Sequence, residues 1–228
     1  MKKFFWLFGA IVCLCVPCLV VIAQPATATA QTQTGSARTV KGQVITSTEK
    51  PVARLEVAPE FKYVGTQDFI LYDVARAEQH FYVDADKDGR IKRLYWVQFE
   101  GYLPTNQHTY RYRANKTASI GGLEFIADAY ARNLKSGQGR PDSDGARAKA
   151  FLEGKGLRFA SDDVMMQRLV HLVDDKKRDE LMIIYLEDLS GTGLTAADLA
   201  PAGKAAAQWE EMAKGLLERA IKQLKLSH

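Results

Sequence analysis

Asp84, Asp86 and Asp88 alternate through the stretch DADKDGRI, with Gly89 and Ile91 close behind. Carboxylates in that alternation followed by glycine are how a calcium-binding EF-hand loop begins, and such a loop closes on a glutamate that gives two oxygens. The closing position here holds Tyr95, and Lys87, Arg90, Lys92 and Arg93 crowd the acids with positive charge. The flanks EQHFYV and IKRLYWVQF alternate like strands, whereas an EF-hand needs helices. The competing reading is a hairpin turning on Asp88-Gly89, a strong signal for a type I′ turn. That register pairs Asp84 with Arg93, Tyr82 with Tyr95 and Phe81 with Trp96, one salt pair and two aromatic pairs that would stabilise a sheet. The residues favour the turn and no cofactor, with a Ca2+ site at Asp84, Asp86 and Asp88 as the alternative.

Acid–base chemistry would fall to Glu100, at the end of an aromatic strand, working with His80, His108 or His171. A buried carboxyl of raised pKa beside an imidazole can act in a hydrolase or an isomerase. No spacing ties these groups together, and the chain lacks a G-x-S-x-G elbow, an H-E-x-x-H pair and a glycine-rich phosphate loop. A non-catalytic module is therefore the leading expectation, and the enzyme is the alternative. A third chemistry is apolar recognition. Along the strand around 91–99, Tyr95, Val97 and Phe99 share one face, and Leu94, Trp96 and Gln98 share the other. Bulk on both faces fits a sheet covered on both sides, or one covered side and one binding surface. Tyr95, Trp96 and Phe99 are the candidate lining for a small apolar ligand. In TYRYRANK, Tyr110 and Tyr112 alternate with Arg111 and Arg113, so a strand there would put the arginines on a solvated face.

Strands must position nearly all of these groups. GQVITST, ARLEVAP, FKYVGTQDFILYDV, EQHFYV, IKRLYWVQFEGYL and HTYRYRA are short alternating or β-branched runs, an antiparallel meander. GGLEFIADAYARNL, residues 121–134, places Leu123, Ile126, Ala127, Tyr130 and Leu134 at helical spacing, and helix is favoured there over strand. DSDGARAKAFLEGKG is a second helix capped by Asp142 or Ser143. VMMQRLVHLV and ELMIIYLEDL read as a hairpin. Thr195 and Asp198 form a capping-box signature, and Trp209, Met212, Leu216, Ala220 and Leu224 mark one stripe of a long amphipathic helix running to about Leu226. The expected fold class is α+β: a twisted antiparallel sheet, a meander, with helices packed on one face, including that long C-terminal helix.

The N-terminus sets the compartment. Lys2 and Lys3 precede an apolar run from Phe4 to Ala23, and Ala28-Thr29-Ala30 supplies a small-residue cleavage site, the layout of an export signal. The run has about the length of a membrane span, roughly 20 residues, so an uncleaved anchor with the domain outside is the alternative. The expectation is a signal peptide at 1–30, a disordered linker at 31–39 and a single α+β domain at 40–228, periplasmic or secreted. Cys13, Cys15 and Cys18 all lie in the leader, so the mature domain is free of cysteine. The formal charge is +4, and loss of Lys2 and Lys3 from the 31 basic residues leaves +2 against 27 acids. That balance gives no case for nucleic acid. The partner expected is a small apolar ligand or an envelope protein, with membrane contact only through an uncleaved signal.

Overall fold

The computed structural model describes residues 37–113, 116–136 and 139–228. The leader read at 1–30 and most of the linker read at 31–39 lie outside the described residues. The first strand starts at Arg38, two positions before Val40. Among the described residues the strands are β1 (Arg38–Lys41), β2 (Val44–Thr48), β3 (Val52–Val57), β4 (Lys62–Leu71), β5 (Ala75–Ala85), β6 (Arg90–Tyr102), β7 (Thr117–Ile120), β8 (Leu123–Asn133), β9 (Arg158–Phe159), β10 (Asp163–Leu172), β11 (Asp179–Asp188) and β12 (Leu224–Ser227). The α-helices among the described residues are α1 (Asp144–Gly154) and α2 (Trp209–Lys222). The chain is α+β and mostly antiparallel sheet.

The expected meander is present as β4-β5-β6, the start of a large sheet of order β4-β5-β6-β11-β10-β8-β7. The β10–β11 hairpin inserts beside β6, so the sheet is a meander extended by two hairpins, β10–β11 and β7–β8. Short β9 pairs with β6 in parallel. A smaller sheet of order β1-β2-β3-β12 packs on one face of the large one, burying Ile45, Leu55, Val57, Leu224 and Leu226 against Tyr95, Val97, Phe99 and Leu181.

Three expectations about the helices need correction. Residues 121–134 are not a helix. Gly121 and Gly122, with φ of 57° and 86°, turn the chain directly from β7 into β8, with Ile120 paired to Leu123. This is the two-residue hairpin geometry that needs positive φ at both central positions. The helical spacing read there was coincidental: inward-facing Phe125 and Ala127 alternate with residues on the other face.

The C-terminal helix is shorter than expected. A 3-10 turn at Ala206–Gln208 leads into α2, whose 14 residues end at Lys222. The last residues form β12 against β3, with Leu224 and Leu226 buried and Lys225 and Ser227 exposed. Leu224 fits both a helical stripe and a two-residue alternation, and pairing with β3 decides between them.

The helices also lie on opposite faces of the large sheet. Leu216 and Ala220 of α2 join the core with Tyr95 and Phe99, whereas Ala148 and Leu152 of α1 join Phe81, Trp96 and Ile184. Phe151 stacks on Phe81 at 4.9 Å. The bulk on both faces of β6 demands a cover on each side, and one helix serves each.

The capping expectations hold. Ser143 caps α1, its hydroxyl accepting from the Ala146 N–H at 3.2 Å. Thr195 and Asp198 exchange capping hydrogen bonds, 2.9 and 3.2 Å, around a turn. HTYRYRA is the exception among the expected strands: residues 108–113 are irregular, and its last residue lies outside the described residues.

Candidate functional site

The register of the β5–β6 hairpin places the three aspartates. Asp84 pairs with Arg93, Tyr82 with Tyr95 and Phe81 with Trp96, and a bulge follows Asp84. The turn is longer than a two-residue I′ turn. Gly89 alone has positive φ, 75°, and Asp86 closes the loop through its backbone with Arg90. Asp86 Oδ1 accepts the N–H groups of Asp88 and Arg90, each at 2.9 Å. Hydrogen bonds from the Arg90 and Asp88 backbone hold its carboxyl below the usual range. Asp84 accepts from Arg93 at 2.7 and 2.8 Å. Asp88 stands at the exposed tip. Two of the three carboxylates thus serve the turn and the strand pair. Among the described residues no group of three or more His, Cys, Asp or Glu side chains is placed to hold a metal ion.

Tyr95 and Phe99 are buried in the core beneath α2 and the small sheet, and Trp96 is buried on the α1 side. The Tyr95 hydroxyl donates to the Ala220 carbonyl at 2.6 Å, tying sheet to helix. Trp96 Nε1 donates to Gln98 Oε1 at 3.1 Å.

Glu100 does not meet a histidine. Phe99 beside it packs edge-on against His80, so Glu100, one residue on, points from the opposite face. His80 belongs to a separate cluster and is 2% exposed. Its Nε2 lies 3.0 Å from Glu78 Oε1 and its Nδ1 lies 3.3 Å from the Tyr63 hydroxyl. Arg38 approaches Glu78 at 3.5 Å. Burial pushes the Glu78 carboxyl up, but His80 and Arg38 outweigh it and hold it below the usual range. His108 is exposed on the irregular segment, and its backbone carbonyl accepts from Arg178 at 2.9 Å. His171 Nδ1 lies 2.9 Å from the Glu124 carbonyl.

What Glu100 does meet is a second glutamate. The β6–β11 register sets Glu180 directly opposite it. Tyr110 donates to Glu100 Oε1 at 2.8 Å, and Tyr112 sits 2.7 and 3.0 Å from the two oxygens of Glu180. Behind Glu100 runs a chain of amides. Gln67 Nε2 donates to Gln79 Oε1 at 2.7 Å, Gln79 Nε2 to Gln98 Oε1 at 2.8 Å, and Gln98 Nε2 to Glu100. Gln79 also reaches the Asp144 carbonyl at the start of α1, 3.3 Å away. Each amide hands a donor to the next acceptor, so one direction of hydrogen bonding runs across three strands and ends on Glu100.

Burial raises both carboxyls. For Glu100 the hydrogen bonds from Tyr110 and Gln98 oppose that rise without reversing it. Glu180, 1% exposed, is pushed up to about 8, first by burial and further by the charge of Glu100, against the Tyr112 hydrogen bond and the Arg168 guanidinium. Two carboxyls of raised pKa side by side cannot both ionise cheaply, because each charge is desolvated and faces a like charge. Such a pair can hold or pass a proton.

Sequence reasoning named Glu100 and missed its partner. Glu180 opens ELMIIYLEDL and looks like the charged boundary of a strand. Its parity with Met182, Ile184 and Leu186, all buried on the α1 side, was the signal that could have found it. Gln79 and Gln98, polar at inward positions of two apolar strands, carried the same message.

Comparison with known proteins returns no matching family model, no matching curated protein and no matching solved structure. Among the described residues no helix is long and apolar enough to cross a membrane.

Proposed function

We propose that the chain is an exported, non-catalytic α+β module that binds a protein partner of the envelope by strand addition on β4. The carrying observation is that β4 ends the large sheet, so its outer edge pairs with no other described strand. Ten residues long, it ends beside exposed Ile70 and Tyr72, two of the large apolar side chains left at the surface. Backbone N–H and C=O groups spaced along an edge are matched by another extended chain, with apolar side chains adding specificity. Export rests on the leader read at 1–30.

A small apolar ligand has less support. Tyr95, Trp96 and Phe99 are buried among the chain's own side chains, and the concavity beside α2 is lined by Glu211, Met212, Lys214, Gly215, Glu218 and Arg219, none of them aromatic. Calcium finds little support in a turn whose Asp84 and Asp86 are already engaged. One observation favours an acid–base enzyme as the second reading: the Glu100–Glu180 pair, with Glu180 in the role first given to a histidine.

A photo-crosslinking residue at Ile70, with one at Lys87 on the far turn as control, tests the first reading in intact exporting cells. A single discrete protein adduct at Ile70 and none at Lys87 is expected. Equal labelling at both positions, or none, removes the edge as the docking site. If neither position labels and native mass spectrometry retains a small molecule, the ligand reading takes its place.

A further inference from the structure

Residues 103–113, which follow β6, carry the second half of the glutamate site. The first part of this segment is fastened through backbone groups, a side-chain amide and a guanidinium. The Leu103 N–H and the Asn106 amide both donate to the Val74 carbonyl at 2.8 Å. Arg178 donates to the carbonyls of Leu103 and His108, 2.9 Å each, and the Tyr110 N–H donates to the Lys177 carbonyl at 2.8 Å. Past that point, Tyr110 and Tyr112 turn inward to Glu100 and Glu180 while Arg111 and Arg113 stay exposed. The second part is thus held by two phenols on two carboxyls, with the Tyr110 ring stacked on Tyr102 and the Tyr112 ring under Arg168 at 5.2 Å.

We propose that residues 103–113 form a strap whose Tyr110–Arg113 end is clasped by Glu100 and Glu180 sharing one proton, and that losing this proton releases that end from the sheet. The inference stands apart from the docking of a partner at β4. Its basis is geometric: two glutamates opposite each other on neighbouring strands, under cover, with each carboxyl bound to a different tyrosine of one irregular segment.

With one proton in place the pair carries a single charge, accommodated by two phenol donors and Gln98. When the proton passes to solvent the pair carries two. The tyrosine hydrogen bonds strengthen with ionisation, but burial is the larger effect on both carboxyls. The surrounding charges do not reverse this. From α1, Asp144 adds a like charge near both glutamates, and from β10 the Arg168 guanidinium outweighs it at Glu180 but not the burial or the Glu100 charge. From β6, Tyr102 stacks on Tyr110 at 4.4 Å, with Arg178 above its ring at 5.9 Å. Burial and the nearby carboxylates push Tyr110 and Tyr112 far above their ordinary values, so both remain donors through this range. Moving the tyrosines aside admits water to the carboxylates, which removes the cost of two charges.

The sign follows from linkage. The closed form binds the proton up to about pH 8, whereas glutamates in an opened, hydrated strap lose it near the ordinary carboxylate value. Opening is therefore favoured as pH rises between those values, by roughly tenfold per unit, and levels off above the higher one.

The chain carries its own reporter, since trypsin cleaves after Arg111 only when the strap end is free. The cleavage rate at Arg111-Tyr112 in the whole protein, divided by that of a peptide of the same sequence, is measured from pH 6.5 to 9. The ratio is expected to climb roughly tenfold per unit to about pH 8 and then flatten, while in Glu180→Gln it stays within about twofold. Tyr112→Phe, which lacks one clasp donor, is expected to be cut faster than the wild type at pH 6.5. A flat wild-type ratio, or a Glu180→Gln ratio that climbs as steeply, overturns the clasp. So does simultaneous loss of protection in β6 and β11, which would mean global unfolding. If near-ultraviolet circular dichroism shows that Glu180→Gln is not folded, Glu100→Gln takes its place: burial still raises Glu180 there, so the ratio is expected to climb less steeply than in the wild type, and an equal climb overturns the clasp.

Discussion

Glu180 contributes to the pH response with a sign opposite to that of Glu78, Asp86 and Asp198, whose carboxyls are held low. A glutamate in the unfolded chain ionises near its ordinary value, but the folded chain keeps this one protonated to about pH 8. Between those values the folded state binds the extra proton, so stability falls as pH rises and is greatest below the unfolded value. The slope is at most about 1.4 kcal/mol per pH unit for one group. Urea unfolding from pH 5 to 9 should show that decline in the wild type and a flatter profile in Glu180→Gln, so that the variant gains on the wild type at alkaline pH. An unchanged slope in the variant would mean that Glu180 ionises normally. Tyr95 makes a different argument. Its hydroxyl reaches the Ala220 carbonyl at 2.6 Å inside the core, and Tyr95→Phe leaves that carbonyl without the bond. The expected loss is about 1–3 kcal/mol in urea unfolding, with little pH dependence.

At the scale of elements, the strands with clear alternation were legible in the sequence. The β5–β6 register was too, because Asp84 with Arg93 and the paired aromatics leave little freedom to slip. Glycine was read less well. The I′ geometry expected at Asp88-Gly89 occurs instead at Gly121-Gly122, where helical spacing hid a plain two-residue hairpin signal. Tertiary pairing also decided β12, whose leucines fit either period. Of the glutamate site, Glu100 was visible, but its partner sits 80 residues away in sequence and only the β6–β11 pairing brings the two together. Gly121 links these errors physically. A Cβ there would lie 2.0 Å from the Leu226 carbonyl oxygen, so the turn of one sheet touches the last strand of the other. Gly121→Ala should cost about 1–2 kcal/mol from backbone strain alone and more from displacing β12. At Gly122 an added Cβ meets the His228 ring, whose Nδ1 lies 3.0 Å from the Gly121 carbonyl, a side chain that yields more readily than backbone. Gly122→Ala should therefore be the milder change, and urea midpoints in the opposite order would contradict the close approach.

At the scale of the molecule, β6 is the piece that both cores share. Tyr95, Val97 and Phe99 belong to the core under α2 and the small sheet, and Leu94 and Trp96 to the core under α1. Neither core can lose β6 without exposing the other face of the same strand, so the two should melt as one unit despite lying on opposite sides of the large sheet. Leu216 in α2 and Leu152 in α1 probe the two sides, 0% and 6% exposed. Each truncation to alanine should cost about 2–5 kcal/mol. Because the sites are separated by the sheet, the double variant should lose the sum to within about 0.5 kcal/mol. The sharper expectation concerns the shape of the transition. In all three variants far- and near-ultraviolet circular dichroism should give coincident urea curves, since unfolding either side must carry β6 with it. If Leu152→Ala instead melts the near-ultraviolet signal first and leaves the strand signal standing, the α1 side is a separable layer. In that case the glutamate clasp, which touches the start of α1 through Gln79, would sit on the weaker half of the protein.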